Sequence, residues 1–195
     1  MPDRTTDELL LEMAGRGDQA AFVELYERHR TGVFRFAYRM LGSVELAEDI
    51  THDCFLSLIK RPENFKPERG SLKTYLYSAA RNLSLKQFRN TGREITVEEF
   101  DEDRPIPVRE QPLAKLLDQE LSLKVQAAVF SLPPLQREAL ILFEYEGLAL
   151  SEIASVVGTD VGAVKARLHR ARERLRSTLW PYLNSSQEIV TLEQA

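Results

Sequence analysis

The sequence predicts an all-α protein of two helical domains joined by an acidic linker, the C-terminal domain carrying a helix-turn-helix. Three observations predict it. Apolar residues recur at three- and four-residue spacing over most of the 195 residues, and no stretch alternates with the period of a strand. The nine prolines and nine glycines fall mostly between those stretches. Residues 94–117 lack periodicity and carry an acid run (Glu94, Glu98, Glu99, Asp101, Glu102, Asp103) followed by Pro105, Pro107 and Pro112. That linker separates an N-terminal domain, 1–93, from a C-terminal one, 118–180, and leaves a tail at 181–195.

The stretch from Leu150 to Arg176 reads as a short helix, a tight turn and a longer basic helix. Ser151 is expected to cap the first helix by accepting a bond from a free backbone N–H of its first turn. Ile153, Ala154 and Val157 share one face, and Gly158 sits where the chain must turn out of the helix in a left-handed conformation. Asp160 is placed to cap the second helix, its charge favoured at the positive end of the dipole. In that helix Val164, Leu168, Ala171 and Leu175 make a stripe only about 60° wide. From Val161 to Arg176 there are six Lys/Arg against Glu173, a local balance of +5 in a chain whose total is −4. A helix anchored by so narrow an edge, braced by a shorter one across a glycine turn, suits the major groove of DNA. The plain alternative is a solvated basic helix ending a bundle.

Composition bounds the rest. Hydrophobic residues at 43% suffice for cores, and charged residues at 29% suit a soluble chain. No run approaches the roughly 18 apolar residues of a membrane span, and the first 20 residues lack a signal-peptide core. A single cysteine, Cys54, leaves no internal disulfide, and a cytoplasmic location is expected. The acidic pI near 5.5 owes much to the 94–103 run, so it says little about any one surface.

Taken in order, Leu9, Leu10 and Met13 form a short amphipathic pattern ending at Gly15 and Gly17. Asp18 caps a helix with Ala21, Phe22, Leu25 and Tyr26 on one face, and a third apolar stretch from Val33 to Leu41 stops at Gly42. Ser43 opens a helix to about Lys60, with Leu46, Ile50, Cys54 and Leu58 inward. Glu45, Glu48, Asp49, His52 and Asp53 lie opposite, on an arc of about 140°, with Phe55 and Ile59 at its margin. Acids beside a semi-exposed aromatic suit a basic partner helix; an ordinary solvated face with Phe55 tucked inward fits equally.

Phe65–Gly70 is a loop by its Pro and Gly, and Ser71 caps the next helix. From Lys66 to Arg93 seven bases stand against Glu68, interleaved with Tyr75, Tyr77, Phe88 and Asn82. Aromatics that stack on unpaired bases, beside cations that follow phosphates, suit single-stranded nucleic acid; tyrosines packed in a core with arginines in water fit as well. Beyond the linker, Asp118–Phe130 is expected to be helical, with Leu121, Val125, Ala128 and Val129 inward. Leu132-Pro-Pro-Leu135 interrupts it before a helix from Gln136 to Glu146.

Four elements in this order resemble bacterial RNA polymerase sigma factors of the extracytoplasmic-function (ECF) group: Ala47-Glu48-Asp49-Ile50 with Asp53 and Phe55, Leu76-Tyr77 through Ala80-Arg81-Asn82, Leu132-Pro-Pro-Leu135-Gln-Arg-Glu, and Val164-Lys165 with Arg167–Arg172. The resemblance covers roughly residues 5–180. It implies that the acidic helix docks on the β′ clamp helices of core RNA polymerase through Glu48, Asp49, Asp53 and Phe55, with the β flap a further contact. It implies recognition of a melted −10 element by Lys66, Arg69, Tyr75, Tyr77, Arg81, Asn82, Lys86 and Arg89, with Asn82 at a flipped base. It implies duplex −35 recognition by Lys165, Ala166, Arg167, His169, Arg170 and Arg172, and an acidic linker that threads the RNA exit path. An anti-sigma protein is a partner the resemblance admits. Departures are Tyr75 for a common Trp, His52-Asp53 for Gln-Glu and Ala166 for a common Ser; they bear on promoter sequence and leave the class intact.

A stand-alone helix-turn-helix regulator is the alternative, but it leaves the acidic face, the aromatic-basic segment and the acidic linker without a role. An enzyme acting on DNA is not expected. His29, His52 and His169 are scattered, His52 and Cys54 make no metal site, and neither a nucleophile–base pair nor a phosphate-binding glycine loop is present. No cofactor and no metal are expected.

Overall fold

Short polar side chains start the helices. Asp18 accepts from the backbone N–H groups of Ala20 (2.9 Å) and Ala21 (3.1 Å). Ser43 accepts from Leu46, Ser71 from Thr74, and Asp160 from Ala163 at 2.8 Å. Each satisfies an N–H that the first helical turn leaves unpaired. The computed structural model describes residues 5–90 and 114–192, with side chains described at 5–90 and 121–182. The acid run of 94–103 therefore lies outside the described residues.

The helices are α1 (Asp7–Gly15), α2 (Gln19–Leu41), α3 (Val44–Lys60), α4 (Leu72–Asn90), α5 (Ala114–Phe130), α6 (Pro134–Leu140), α7 (Leu150–Val157) and α8 (Val161–Leu192). Two 3-10 turns, Pro62–Asn64 and Pro67–Arg69, join α3 to α4, and a π-turn, Ile141–Tyr145, follows α6. There is no strand among the described residues. The Asp18 helix and the apolar stretch beyond it merge into one 23-residue helix, α2, which Gly42 ends at φ 74°.

Helix α2 packs against α1, α3 and α4. Leu25, Phe36, Ala37, Met40, Ile50, Leu58, Leu72 and Leu76 fill the space between them. Helix α1 turns Leu10, Leu11 and Ala14 inward and leaves Leu9 and Met13 exposed, so the expected face is rotated. Its orientation is set by Asp7, which meets Arg28 at 3.1 Å and His29 at 2.7 Å on α2.

In the C-terminal half α8 packs on α5, α6 and α7. Val129, Leu132, Leu140 and Ala171 form a small cluster, with Val125 and Leu175 against it. Leu121, expected inward, is exposed. Helix α7 starts one residue before the expected cap: Ala149 is extended, and the Glu152 carboxylate accepts its N–H at 2.8 Å. Ser151 thus lies inside the first turn. Helix α8 runs on through Pro181 to Leu192, where a tail was expected, because the chain keeps helical geometry past the proline.

The two halves are packed together. Helix α4 lies against α7, and one continuous cluster of buried residues runs from Leu10 through Leu76 to Ile153 and Leu168. No helix among the described residues is long and apolar enough to cross a membrane.

Candidate nucleic-acid interface

Helix α3 sorts its side chains by position around the axis. Ala47, Ile50, Thr51, Cys54, Phe55 and Leu58 are buried, while Glu45, Glu48, Asp49, His52 and Asp53 are exposed. Phe55 corrects an expectation. It is 2% exposed, and its ring meets Tyr26 edge-on at 4.8 Å. The spacing explains this: Phe55 stands one turn from both Thr51 and Leu58 on the inner row. The apolar residue on the acidic row is Leu56, 37% exposed and one turn beyond His52 and Asp53. Cys54, beside it but inward, has its thiol pushed up to about 12 by burial and by the charge of Asp53.

The loop before α4 is a built surface. Pro62 and Pro67 each open a 3-10 turn, and between them Phe65 plugs inward, edge-on to Tyr75 at 5.8 Å. Asn64, Lys66, Arg69, Gly70, Ser71, Thr74 and Tyr75 line a cavity of about 260 Å³ there, closed on one side by Ser155 of α7. Lys66 and Arg69 are exposed and Tyr75 half-buried; burial pushes its phenol upward. Farther along, Asn82, Lys86 and Arg89 are exposed.

Tyr77 does not join them. It is buried against Phe36, and its hydroxyl donates to Glu146 Oε2 at 2.7 Å, so it offers no stacking face. Burial, then the Glu146 carboxylate, raises its phenol far above the ordinary range. Two steps of 100° from Tyr75 put it on the other side of α4.

On α8, Val164, Leu168 and Ala171 are buried as the stripe requires. Lys165, His169, Arg170 and Arg172 are exposed; Ala166 and Arg167 are half-buried. Arg172 pairs with Glu144 at 2.7 Å and lies over the Phe143 ring. The turn into α8 is as expected, with Gly158 at φ 68°.

Two carboxylates that sequence reasoning missed join the halves. Glu138 is fully buried. Arg81 of α4 donates to both its oxygens, Nε to Oε2 at 2.7 Å and Nη2 to Oε1 at 3.1 Å, and Arg167 of α8 donates Nη1 to Oε1 at 2.9 Å. Burial raises the Glu138 acid, and the two guanidinium groups oppose that shift. Glu146 takes Tyr77, with Arg39 at 3.5 Å and Arg35 at 3.7 Å, while its backbone carbonyl accepts from Lys73 at 3.3 Å. Next to Glu138, Arg137 is buried and pairs with no carboxylate among the described residues. It donates to the carbonyls of Met40 (2.6 Å), Leu132 (3.0 Å) and Phe130, and burial lowers its guanidinium to about 10. The Arg137-Glu138 pair directly before the apolar run Ala139–Leu142 was the available signal for Glu138.

Residues 25–94 match the family Sigma-70 region 2, and residues 122–175 match Sigma-70, region 4. Both lie in one chain, in that order. The chain belongs to the ECF group of RNA polymerase sigma factors. This sigma factor is 37% identical over 168 residues to the ECF RNA polymerase sigma factor SigE of Mycolicibacterium smegmatis, covering 84% of the chain and 64% of that relative's length. It is 29% identical to the ECF RNA polymerase sigma factor SigW of Bacillus subtilis, over 87% of the chain and 94% of the relative. Among solved structures it is similar to the sigma factor RpoE from Bartonella quintana in complex with the anti-sigma factor NepR. That match has a TM-score of 0.57 and 27% identity, over 77% of this sigma factor and 91% of that chain.

Proposed function

We propose that this sigma factor binds core RNA polymerase in the cytoplasm and directs initiation at one class of promoter, supplying recognition and no chemistry of its own. One observation supports the reading: an exposed acidic row on α3 and two exposed basic surfaces, on α4 with its loop and on α8, stand in one chain in the family's order. The acidic row of α3, with Glu48, Asp49 and Asp53 exposed around Leu56, suits the basic clamp helices of the β′ subunit. Leu56 replaces Phe55 as the apolar anchor.

The loop cavity, with Lys66 and Arg69 at its rim and Tyr75 within, suits one unpaired base and its phosphates. Asn82, Lys86 and Arg89 extend that track along α4, and Arg81 belongs to it by position. The N-terminal half of α8 presents Lys165, His169 and Arg170 to base edges, with Ala166 between and Arg167 and Arg172 toward phosphates. A local charge of +5 on α8 makes that contact salt-dependent. A cognate anti-sigma protein is part of the proposal by analogy with the Bartonella complex.

A stand-alone regulator would need only α7 and α8. In vitro transcription from a sheared genomic template, with 5′ ends mapped, separates the two. RNA with defined start sites that requires both core polymerase and this protein supports the proposal. DNA binding with no such RNA would favour the regulator.

A further inference from the structure

The −35 residues assigned above begin at Lys165, but the helix that carries them begins one turn earlier. Val161 is its first residue and keeps 36% of its surface exposed, while Val164 and Leu168 are buried. Local helix chemistry does not call for valine here. A first helical position favours proline or an acid, and a β-branched side chain is a poor helix former. The start of α8 is already fixed by Asp160, which accepts from Ala163 at 2.8 Å.

Four residues carry a helix slightly more than one full turn, so Val161 stands about 40° from Lys165 and about 6 Å nearer the N-terminus. On the other side of Lys165 the outward row is made of Gly162 and Ala166, both short. A Cβ at Gly162 would stand 2.9 Å from Asp160 Oδ1, so the cap itself keeps that exposed position bare. A row without long side chains lets the α8 backbone come close to the floor of the major groove. The N-terminal end of a recognition helix is also the part that meets base edges. At such an approach even a short branched side chain touches a base.

Among the groups that base pairs present in the major groove, the C5-methyl of thymine is the apolar one. An exposed valine gains by shielding that methyl from water, and gains nothing from the donors and acceptors of the other bases.

We propose that Val161 is a specificity-determining residue: its γ-methyls pack on the C5-methyl of a thymine in the −35 element, within about three base pairs of the base that Lys165 reads. This rests on the functional reading above and deepens it. It adds to a surface of cations one contact whose preference salt does not weaken, since no counterion is released on forming it.

The test uses holoenzyme reconstituted from core polymerase and the full chain. Selection from a randomised −35 library first gives the preferred element. Each of its thymines, on either strand, is then replaced singly by deoxyuridine, which deletes the 5-methyl and leaves every hydrogen-bonding group in place. At one position the exchange should weaken wild-type binding about fourfold, the weight of one buried methyl, and by the same factor at low and high salt. Val161→Ala, which removes both γ-methyls, should bind thymine and deoxyuridine alike at that position. Alanine is the better helix former, so this variant should keep the wild-type circular dichroism. Val161→Ile keeps a branched apolar side chain and should keep the difference. Lys165→Ala should keep it too, while changing preference at a nearby base.

Undiminished thymine discrimination in Val161→Ala overturns the proposal, and so does an element in which no thymine is sensitive to the exchange. The functional reading stands or falls separately. Enrichment of a −35 sequence with no methyl effect that depends on Val161 removes this contact and leaves that reading intact. No enrichment by the holoenzyme overturns both.

Discussion

The Tyr77 hydroxyl donates to Glu146 Oε2 at 2.7 Å, and Gly32 on α2 leaves the room for it. A Cβ at Gly32 would stand 2.7 Å from the Tyr77 oxygen, inside van der Waals contact. Alanine there would gain about 1 kcal/mol of helix propensity but displace a buried, hydrogen-bonded phenol, a loss of about 1–3 kcal/mol. Gly32→Ala is expected to destabilise the protein by up to about 2 kcal/mol in urea unfolding. In a Tyr77→Phe background, which removes the clashing oxygen, the same change should be neutral or stabilising. Equal costs in both backgrounds would show that the hydroxyl is not what Gly32 accommodates.

Arg137 is a structural cation. Its guanidinium reaches three backbone carbonyls from two sides and sits 5.6 Å from the Phe88 ring centre and 5.7 Å from that of Phe130. A lysine ammonium cannot copy that planar fork. Arg137→Lys should cost about 2–4 kcal/mol through carbonyls left unpaired. Equilibrium denaturation reads this directly, and a change below about 0.5 kcal/mol, the range of an ordinary surface substitution, would contradict it.

Phe55 and Leu56 are adjacent in sequence and opposite in consequence. Phe55→Ala empties a core position and should cost about 3–5 kcal/mol of stability. Leu56→Ala and Asp53→Ala should leave stability within about 0.5 kcal/mol while weakening core polymerase binding roughly five- to thirtyfold, about 1–2 kcal/mol each. Calorimetric unfolding and a polymerase pull-down titration separate the two effects. If Leu56→Ala binds polymerase like wild type, the apolar anchor has been placed on the wrong residue.

On α8, Lys165→Ala and Arg170→Ala should each lose about 1–3 kcal/mol of −35 discrimination where the contact is to a base. Arg172→Ala, if its contact is to phosphate, should weaken all sequences alike and lower the salt slope by about one. Competition against a randomised −35 library distinguishes a change of preference from a uniform loss.

Cys54 gives an alkaline signature. Its thiol lies at about 12 in the folded chain against an ordinary 9, so the native state keeps a proton that the unfolded chain releases. Stability contributed by that proton is full below about pH 9 and falls as pH rises toward 12. Cys54→Ala should show a shallower decline in urea midpoint than wild type between pH 8.5 and 10.5, a comparison in which the tyrosines cancel. Native Cys54, 1% exposed, should also react with a thiol reagent only as fast as the protein opens.

Local features of the chain were legible without coordinates. Asp18, Ser43, Ser71 and Asp160 cap the helices they precede, and Gly42 and Gly158 end helices in left-handed turns. The narrow stripe of Val164, Leu168 and Ala171 is buried beneath a basic surface. Caps, periodicity and charge balance act over one or two turns, so a sequence displays them directly.

Errors arose where a face had to be assigned by margin. Leu9 and Met13 lost to Leu11 and Ala14, and Phe55 to Leu56, because an apolar row decides which edge it buries only when a neighbouring helix arrives. The same holds with greater force for charge. Glu138 carries only the hint of the apolar run that follows it, and Glu146 looks like an ordinary acid at a helix end. Their partners Arg81 and Tyr77 lie 57 and 69 residues away.

By itself, then, the chain determined its helices, its caps, its segregation of acid from base and the family to which those belong. Which carboxylates are buried, which aromatics are core, and which cations already hold a carboxylate was decided by the packing of helix on helix. A charge can leave water only when its counter-charges are brought to it, and that meeting exists in three dimensions alone.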